Sequence, residues 1–257
     1  FQNTLFTMSR LFFDIENILI NKKTILAVVS HPDDFEDYFS GTLFYCLDKK
    51  IIDPSAFHVL ICTDGGKGGR NTEVTSEELK AKRKKEQEES LRSMGIPESQ
   101  CYFLEFEDGY IHNAGNVLTE RISYYIRKLK PDIVFTHNGF EAIIEKPDGM
   151  YYVHKDHRIV GQAVMDAVYP YSRDLLFFPQ HKEEGLEGHM VFQVLLAETA
   201  EPNVKVDVTP YMPKKINLIK TFMSQVESDE WLYNYFKNTT GEEGQYMECF
   251  KFVKIII

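Results

Sequence analysis

The sequence predicts an α/β protein with a mostly parallel sheet and helices on both faces, in Rossmann-like order. Three observations carry that prediction. Continuous apolar runs of strand length recur at residues 24–30, 57–63, 101–104 and 132–136, as expected of strands covered on both faces. Helix-like segments separate these runs, which is the βαβ rhythm of a parallel sheet. The run ends at His31, Thr63, Phe106 and Thr136 then fall along one edge, where open α/β sheets bind their ligands.

The elements follow in order. Leu5, Phe6, Met8, Leu11, Phe12, Ile15, Ile18 and Leu19 recur mostly every three or four positions. Residues 4–20 therefore read as an amphipathic helix packed on the body of the domain. A helix is expected over 37–48, with the acidic Glu36 and Asp37 at its positive end. Gly41 inside it costs about 1 kcal/mol relative to Ala and permits close backbone approach. The second run leads into Asp64-Gly65-Gly66-Lys67-Gly68-Gly69-Arg70. Neither phosphate-binding pattern, G-x-x-x-x-G-K-[ST] or G-x-G-x-x-G, is present there, so a mobile loop over a pocket is expected. Residues 76–94 read as a helix with Ser76 as N-cap, Glu77 and Glu78 in the first turn and Gly95 past the end. Its middle, Lys80 to Glu89, reads as a solvated charged face, apart from Arg83 and Glu86.

A helix beginning at Asn116 or Thr119 ends before Pro131. Residues 139–153 read as a loop, and loops of that length are commonly functional. His154-Lys155-Asp156-His157 then opens a helix carrying Ile159, Val160, Ala163, Val164, Ala167 and Val168. Two strand-like runs (191–196 and 204–208), a helix over 213–226 and a mixed, aromatic tail over 231–254 complete the chain. No Pro-, Gly- or Ser-rich linker interrupts it. One domain over 1–257 is expected, with 1–23 packed on it and 180–257 as a C-terminal extension.

Composition removes several function classes. A net charge of −10 argues against a nucleic-acid partner, which needs basic surface. The four cysteines are scattered without a C-x-x-C pair, which fits a reducing compartment. No apolar run approaches the ~18 residues of a membrane span. A cytoplasmic location is expected, with a removed leader left open.

The chemistry concentrates in two places. His31, Asp33 and Asp34 follow a buried run, and charged groups in such a position are paired or bind a metal. His154 and His157 stand three apart at a helix start, so both can face one site. Catalytic zinc commonly takes three protein ligands and keeps one position open. His31, Asp34 and one of His154 and His157 supply such a set, with Asp33 beside it. H-E-x-x-H is absent. His137 reads as a hydrogen-bonded loop histidine, with a supporting role at the site as the alternative. His58, His112, His181 and His189 have no partners at ligand spacing. Trp231, Tyr233 and Tyr235 read as core or subunit-contact residues, with sugar stacking as the alternative.

These motifs resemble the LmbE-like, or PIG-L-like, zinc-dependent N-acetylglucosaminyl deacetylases, with an H-P-D-D after the first strand and a later H-x-x-H. Arg83, Glu86, Met94 and Gly95 match the family's R-x-x-E helix ending in Leu- or Met-Gly. Asp108-Gly109 and the segment from Asn203 to Gln225 match further motifs, so the resemblance spans about residues 24–226. It implies a three-layer α/β/α fold. It further implies that His31, Asp34 and His157 ligate Zn2+ (with Fe2+ as an alternative), that Asp33 is the general base, and that His154 is a protonated partner for the oxyanion. Arg83 and Asp108 would contact sugar hydroxyls, and a homo-oligomer is compatible with the family. Phe222 stands where a family histidine often precedes the Ser-Gln pair, and Lys155 replaces a proline. The expected activity is removal of acetyl from an N-acetylated amino sugar. Cleavage of another amide, such as a thiol conjugate, and a silent binding module are the alternatives.

Overall fold

The computed structural model describes residues 12–69, 73–146, 149–226, 228–237 and 244–256. In chain order its elements are α1 (Ile15–Leu19), β1 (Ile25–Val29), α2 (Asp34–Asp48), β2 (Phe57–Thr63), α3 (Ser76–Ser93), β3 (Cys101–Phe106), α4 (Asn116–Leu129) and β4 (Ile133–His137). There follow β5 (Ile143–Lys146), β6 (Gly149–Tyr152), α5 (Lys155–Asp166), α6 (Gln180–Glu183), β7 (Gln193–Ala197), β8 (Val204–Asp207), α7 (Met212–Ile219), α8 (Asp229–Lys237) and β9 (Met247–Lys254).

Seven strands form one sheet in the order β3-β2-β1-β4-β7-β9-β8. The first five run parallel, while β9 is antiparallel to both β7 and β8. Chain order reverses between β1 and β4, which makes their carboxyl ends the topological switch point. Every residue of these two strands is buried, which is why the sequence runs apolar without alternation. One apolar layer gathers Phe35, Phe39 and Leu43 of α2 with Leu91 of α3 and Leu218 of α7. The other gathers Leu118, Ile122 and Ile126 of α4 with Val160 and Val164 of α5. The mostly parallel sheet with helices on both faces is thus as the sequence predicts.

Several boundaries differ. Residues 4–11 of the expected first helix lie outside the described residues, and the remainder helices only from Ile15, where Asp14 accepts the Glu16 N–H at 2.9 Å. The second helix starts at Asp34, not 37. The cap of α3 is Thr75 instead of Ser76: Thr75 Oγ1 accepts the Glu78 N–H at 3.3 Å, and Glu78 accepts the Thr75 N–H at 2.9 Å, a reciprocal capping box. Residues 139–153 hold the antiparallel hairpin β5–β6. The helix expected over 213–226 ends at Ile219, and the aromatic tail holds α8 and β9. In the glycine loop Gly65 and Gly66 are buried, while Lys67, Gly68 and Gly69 are exposed. A Cβ on Gly66 would lie 2.6 Å from Ser76 Oγ, and one on Gly68 would lie 2.8 Å from an Arg83 guanidinium nitrogen.

Candidate active site

β1 delivers the chain into a turn, Ser30 to Asp33, that opens α2. Asp33 sits at φ 99°, a region that non-glycine residues seldom adopt. The turn folds Asp34 back so that its Oδ2 accepts the His31 N–H at 2.7 Å. From the other side of the switch point, α5 presents His157 in its first turn. His31 Nδ1 lies 3.2 Å from His157 Nε2 and 3.4 Å from Asp34 Oδ2, and His157 Nε2 lies 3.2 Å from Asp34 Oδ1. Three donors on one tetrahedral ion, with bonds of about 2.0–2.2 Å, stand about 3.3–3.6 Å apart. The pairwise separations are of this size, with Asp34 meeting His31 through Oδ2 and His157 through Oδ1, and two imidazoles with a carboxylate are a donor set that suits zinc. Among the described residues, three overlapping groups bring ligand atoms within 4.8 Å of one another: His31–His154–His157, Asp34–His137–His157 and His31–Asp108–Asp156.

A ring of carboxylates backs the trio. Glu198, just past β7, takes the Nδ1–H of both His157 and His137 on Oε2, each at 2.9 Å. Its Oε1 accepts the hydroxyls of Tyr38 and Tyr151 at 2.9 and 2.8 Å. His31 Nε2 lies 3.2 Å from Asp108 Oδ1 and 3.5 Å from Asp156 Oδ2. Asp156 in turn accepts the Gly109 N–H at 2.7 Å. Burial alone would lower the His157 pKa, yet Asp34 and Glu198 raise it to about 9. His31 is raised likewise by Asp34, Asp108 and Asp156. The cluster thus favours added positive charge, as a divalent cation would supply.

Asp33 is held from behind. Its N–H donates to Gln87 Oε1 at 2.9 Å, and Gln87 Nε2 donates to Glu36 Oε1 at 2.7 Å. Ser90 Oγ donates to the same Glu36 oxygen at 2.6 Å. With its amide nitrogen fixed by Glu36, Gln87 can only turn its oxygen toward Asp33. Arg83 donates to the Pro32 carbonyl, to Asp33 Oδ2 at 2.9 Å and to the Gly65 carbonyl at 3.1 Å. Burial pushes the Asp33 carboxyl up and Arg83 pulls it back, leaving it at about 6.

Arg83, Asp108 and His154 each have protein partners here. Arg83 is buried and braces the Asp33 turn, while its Nε has no partner among the described residues. Asp108 is likewise engaged, by the His31 ring and by the Lys67 N–H at 3.0 Å. Burial would raise its carboxyl, but the His31 ring and that N–H hold it at about 2. At His154 desolvation, followed by the charge of His31 and His157, lowers the pKa. The residue caps α5, with Nδ1 accepting the Asp156 N–H at 3.2 Å, which leaves its proton on Nε2.

Glu198, Asp156 and Gln87 were not singled out from the sequence. Glu198 stands just past the 191–196 apolar run, so its place at a strand end was the available signal. His137 takes the supporting position that was the alternative reading. Its Nε2 accepts the Ser30 N–H at 3.1 Å. Glu86 accepts the Ser224 N–H at 3.0 Å, tying α3 to the Ser-Gln pair. A cavity of about 200 Å³ opens on the cluster, walled by Asp33, Asp34, His157, Phe222, Trp231 and Tyr235. Trp231 and Tyr235 stack with ring centroids 5.3 Å apart. The Tyr233 side chain lies outside the described residues.

A histidine–carboxylate cluster in a crevice at the switch point of a parallel sheet defines an α/β protein with a candidate metal centre. The model of the PIG-L family, GlcNAc-PI de-N-acetylase, matches residues 26–168, spanning both histidine motifs. A diacetylchitobiose deacetylase from Thermococcus kodakarensis is 30% identical over 225 residues, covering 87% of this chain and 78% of that protein. A probable N-acetyl-alpha-D-glucosaminyl L-malate deacetylase 2 from Bacillus anthracis is 26% identical over 212 residues, covering 80% and 82%. The N,N'-diacetylchitobiose deacetylase structure from Pyrococcus horikoshii, complexed with its inhibitor MPG, superposes with a TM-score of 0.77. It is 26% identical and covers 91% of this chain and 85% of that one. The chain belongs to the PIG-L family.

Proposed function

We propose that this protein is a zinc-dependent hydrolase that removes the acetyl group from an N-acetylated amino sugar or its conjugate. The observation that carries the reading is the clustering of His31, Asp34 and His157 at 3.2–3.4 Å, the Asp34 contacts being made through its two different oxygens, with Asp33 braced beside them. The names of the relatives, which act on diacetylchitobiose and an N-acetylglucosaminyl malate, support the amino-sugar class.

His31, Asp34 and His157 would hold the ion, a mixed His/carboxylate set suited to zinc and also to iron. A bound divalent ion would acidify water to a pKa of about 7 and polarise the acetyl carbonyl. Asp33 takes the proton of the attacking water, with Arg83 and Gln87 fixing its direction. General-base assistance of this kind is worth about 10²–10⁴ in rate. His154 donates from Nε2 to the oxygen that gains charge as the carbonyl is attacked. The proton on Asp33 then passes to the departing nitrogen as the C–N bond breaks. Acetate and a free amine result. Glu198, Asp108 and Asp156 keep the ligand rings oriented.

The test is acetate release from N-acetylglucosamine, its disaccharide and its glycosides, before and after chelation and with zinc restored. Release that is lost on chelation and regained with zinc is expected. No release from any of these sugars, alongside cleavage of another amide, would overturn the sugar assignment. Fewer than about one divalent ion per chain after soaking would overturn the metal.

A further inference from the structure

A second cavity, of about 430 Å³, adjoins the one on the metal cluster. The two share Asp37, Tyr38 and Tyr235 in their walls. The larger one lies beyond the carboxyl end of β7 and reaches Glu198, which holds His157. The hydrolytic steps above make no use of this space.

Several of its polar wall groups are engaged with one another. The Tyr38 and Tyr151 hydroxyls are on Glu198 at 2.9 and 2.8 Å, and the Tyr235 hydroxyl donates to Asp37. Lys215 Nζ is 2.6 Å from Glu248, whose two oxygens accept the N–H groups of Gly41 and Thr42. What the wall offers a ligand is tyrosine ring faces and the hydrocarbon of Ile144, Met150, Val208, Met212 and Phe250. A second hydroxylated ring placed there would meet mainly hydrocarbon across a wall whose charged groups are already paired. An alkyl or aryl group would bury its surface against that hydrocarbon.

We propose that the substrate is an amino sugar linked to an apolar aglycone, and that the 430 Å³ cavity receives that aglycone while the N-acetyl group meets the metal cluster. This rests on the deacetylase reading above. The size is suitable, since small-molecule sites commonly span about 300–1,000 Å³. Tyr38 and Tyr235, common to both cavities, would mark the crossing between sugar and aglycone.

The experiment measures kcat/KM for acetate release from the methyl, butyl and hexyl β-glycosides of N-acetylglucosamine, using the zinc-loaded protein. Each fully buried methylene is worth about a fourfold gain. With half that burial, the step from methyl to hexyl should raise kcat/KM by about 30-fold, mostly through KM. Met150→Asp, at a rim position 72% exposed, should shrink that gain at least fivefold. Hydrolysis of the methyl glycoside with a flat series would overturn the aglycone proposal and leave the deacetylase reading standing. An unchanged gain in Met150→Asp would put the alkyl chain elsewhere and also overturn it. Failure to hydrolyse any of the three would remove both.

Discussion

Replacing Glu198 with glutamine should weaken metal binding by about 10–100-fold while leaving the fold intact. The carboxylate accepts on both oxygens: two tyrosine hydroxyls on Oε1, and the Nδ1–H of His137 and of His157 on Oε2. A glutamine accepts on one oxygen only. If that oxygen stays with the tyrosines, the amide nitrogen faces two ring N–H donors. If it turns to the histidines, the tyrosines lose their acceptor, although each can rotate to another. Either way at least one hydrogen bond to a charged acceptor is lost, about 1.5–3 kcal/mol. At 1.4 kcal/mol per tenfold this is about one to two decades. That range agrees with the usual effect of changing a group that orients a metal-bound histidine. The assay is zinc competition against a chromophoric chelator, with thermal unfolding of the metal-free proteins as the control. Affinity within twofold of the parent would refute the assignment of Glu198 as the orienting group. So would a metal-free Glu198→Gln protein that fails to fold, since the carboxylate would then be structural.

Other substitutions separate positioning from packing. Gln87→Ala removes the acceptor of the Asp33 N–H and should lower kcat about 10–100-fold, with KM and zinc content within twofold; a change in KM alone would contradict this. Gly161→Ala places a Cβ 2.5 Å from the His137 carbonyl and 2.6 Å from the Gly139 nitrogen. Backbone atoms cannot step aside, so urea unfolding should show a loss of about 1–3 kcal/mol. Lys215→Met breaks a buried pair in which both side chains are at most 7% exposed and should lower stability by about 3 kcal/mol. A change below about 1 kcal/mol in the same unfolding assay would contradict that.

The interior of the sheet was legible because β1, β2 and β4 are buried on both faces and therefore unbroken in sequence. β9 was not, although its burial alternates along Met247–Lys254. The inward positions include Glu248 beside Phe250 and Phe252, and the charge hides the period until Lys215 is seen against it. The hairpin β5–β6 left little pattern, since Ile143, Met150 and Tyr152 are exposed. The proposed metal trio could be assembled because both histidine motifs carry candidate ligands. Its supports could not, because a single glutamate after a strand or a glutamine within a charged helix carries no spacing signal.

The most direct measurement compares acetate release by the parent and by Asp33→Asn, each with zinc content determined on the same sample. Asp33 touches Arg83 and Gln87 but is outside the His31–Asp34–His157 trio. The expected result is a fall in kcat of about 10²–10⁴ with about one zinc retained per chain. Parental turnover by zinc-loaded Asp33→Asn would contradict the role of Asp33 as the base on which the mechanism turns.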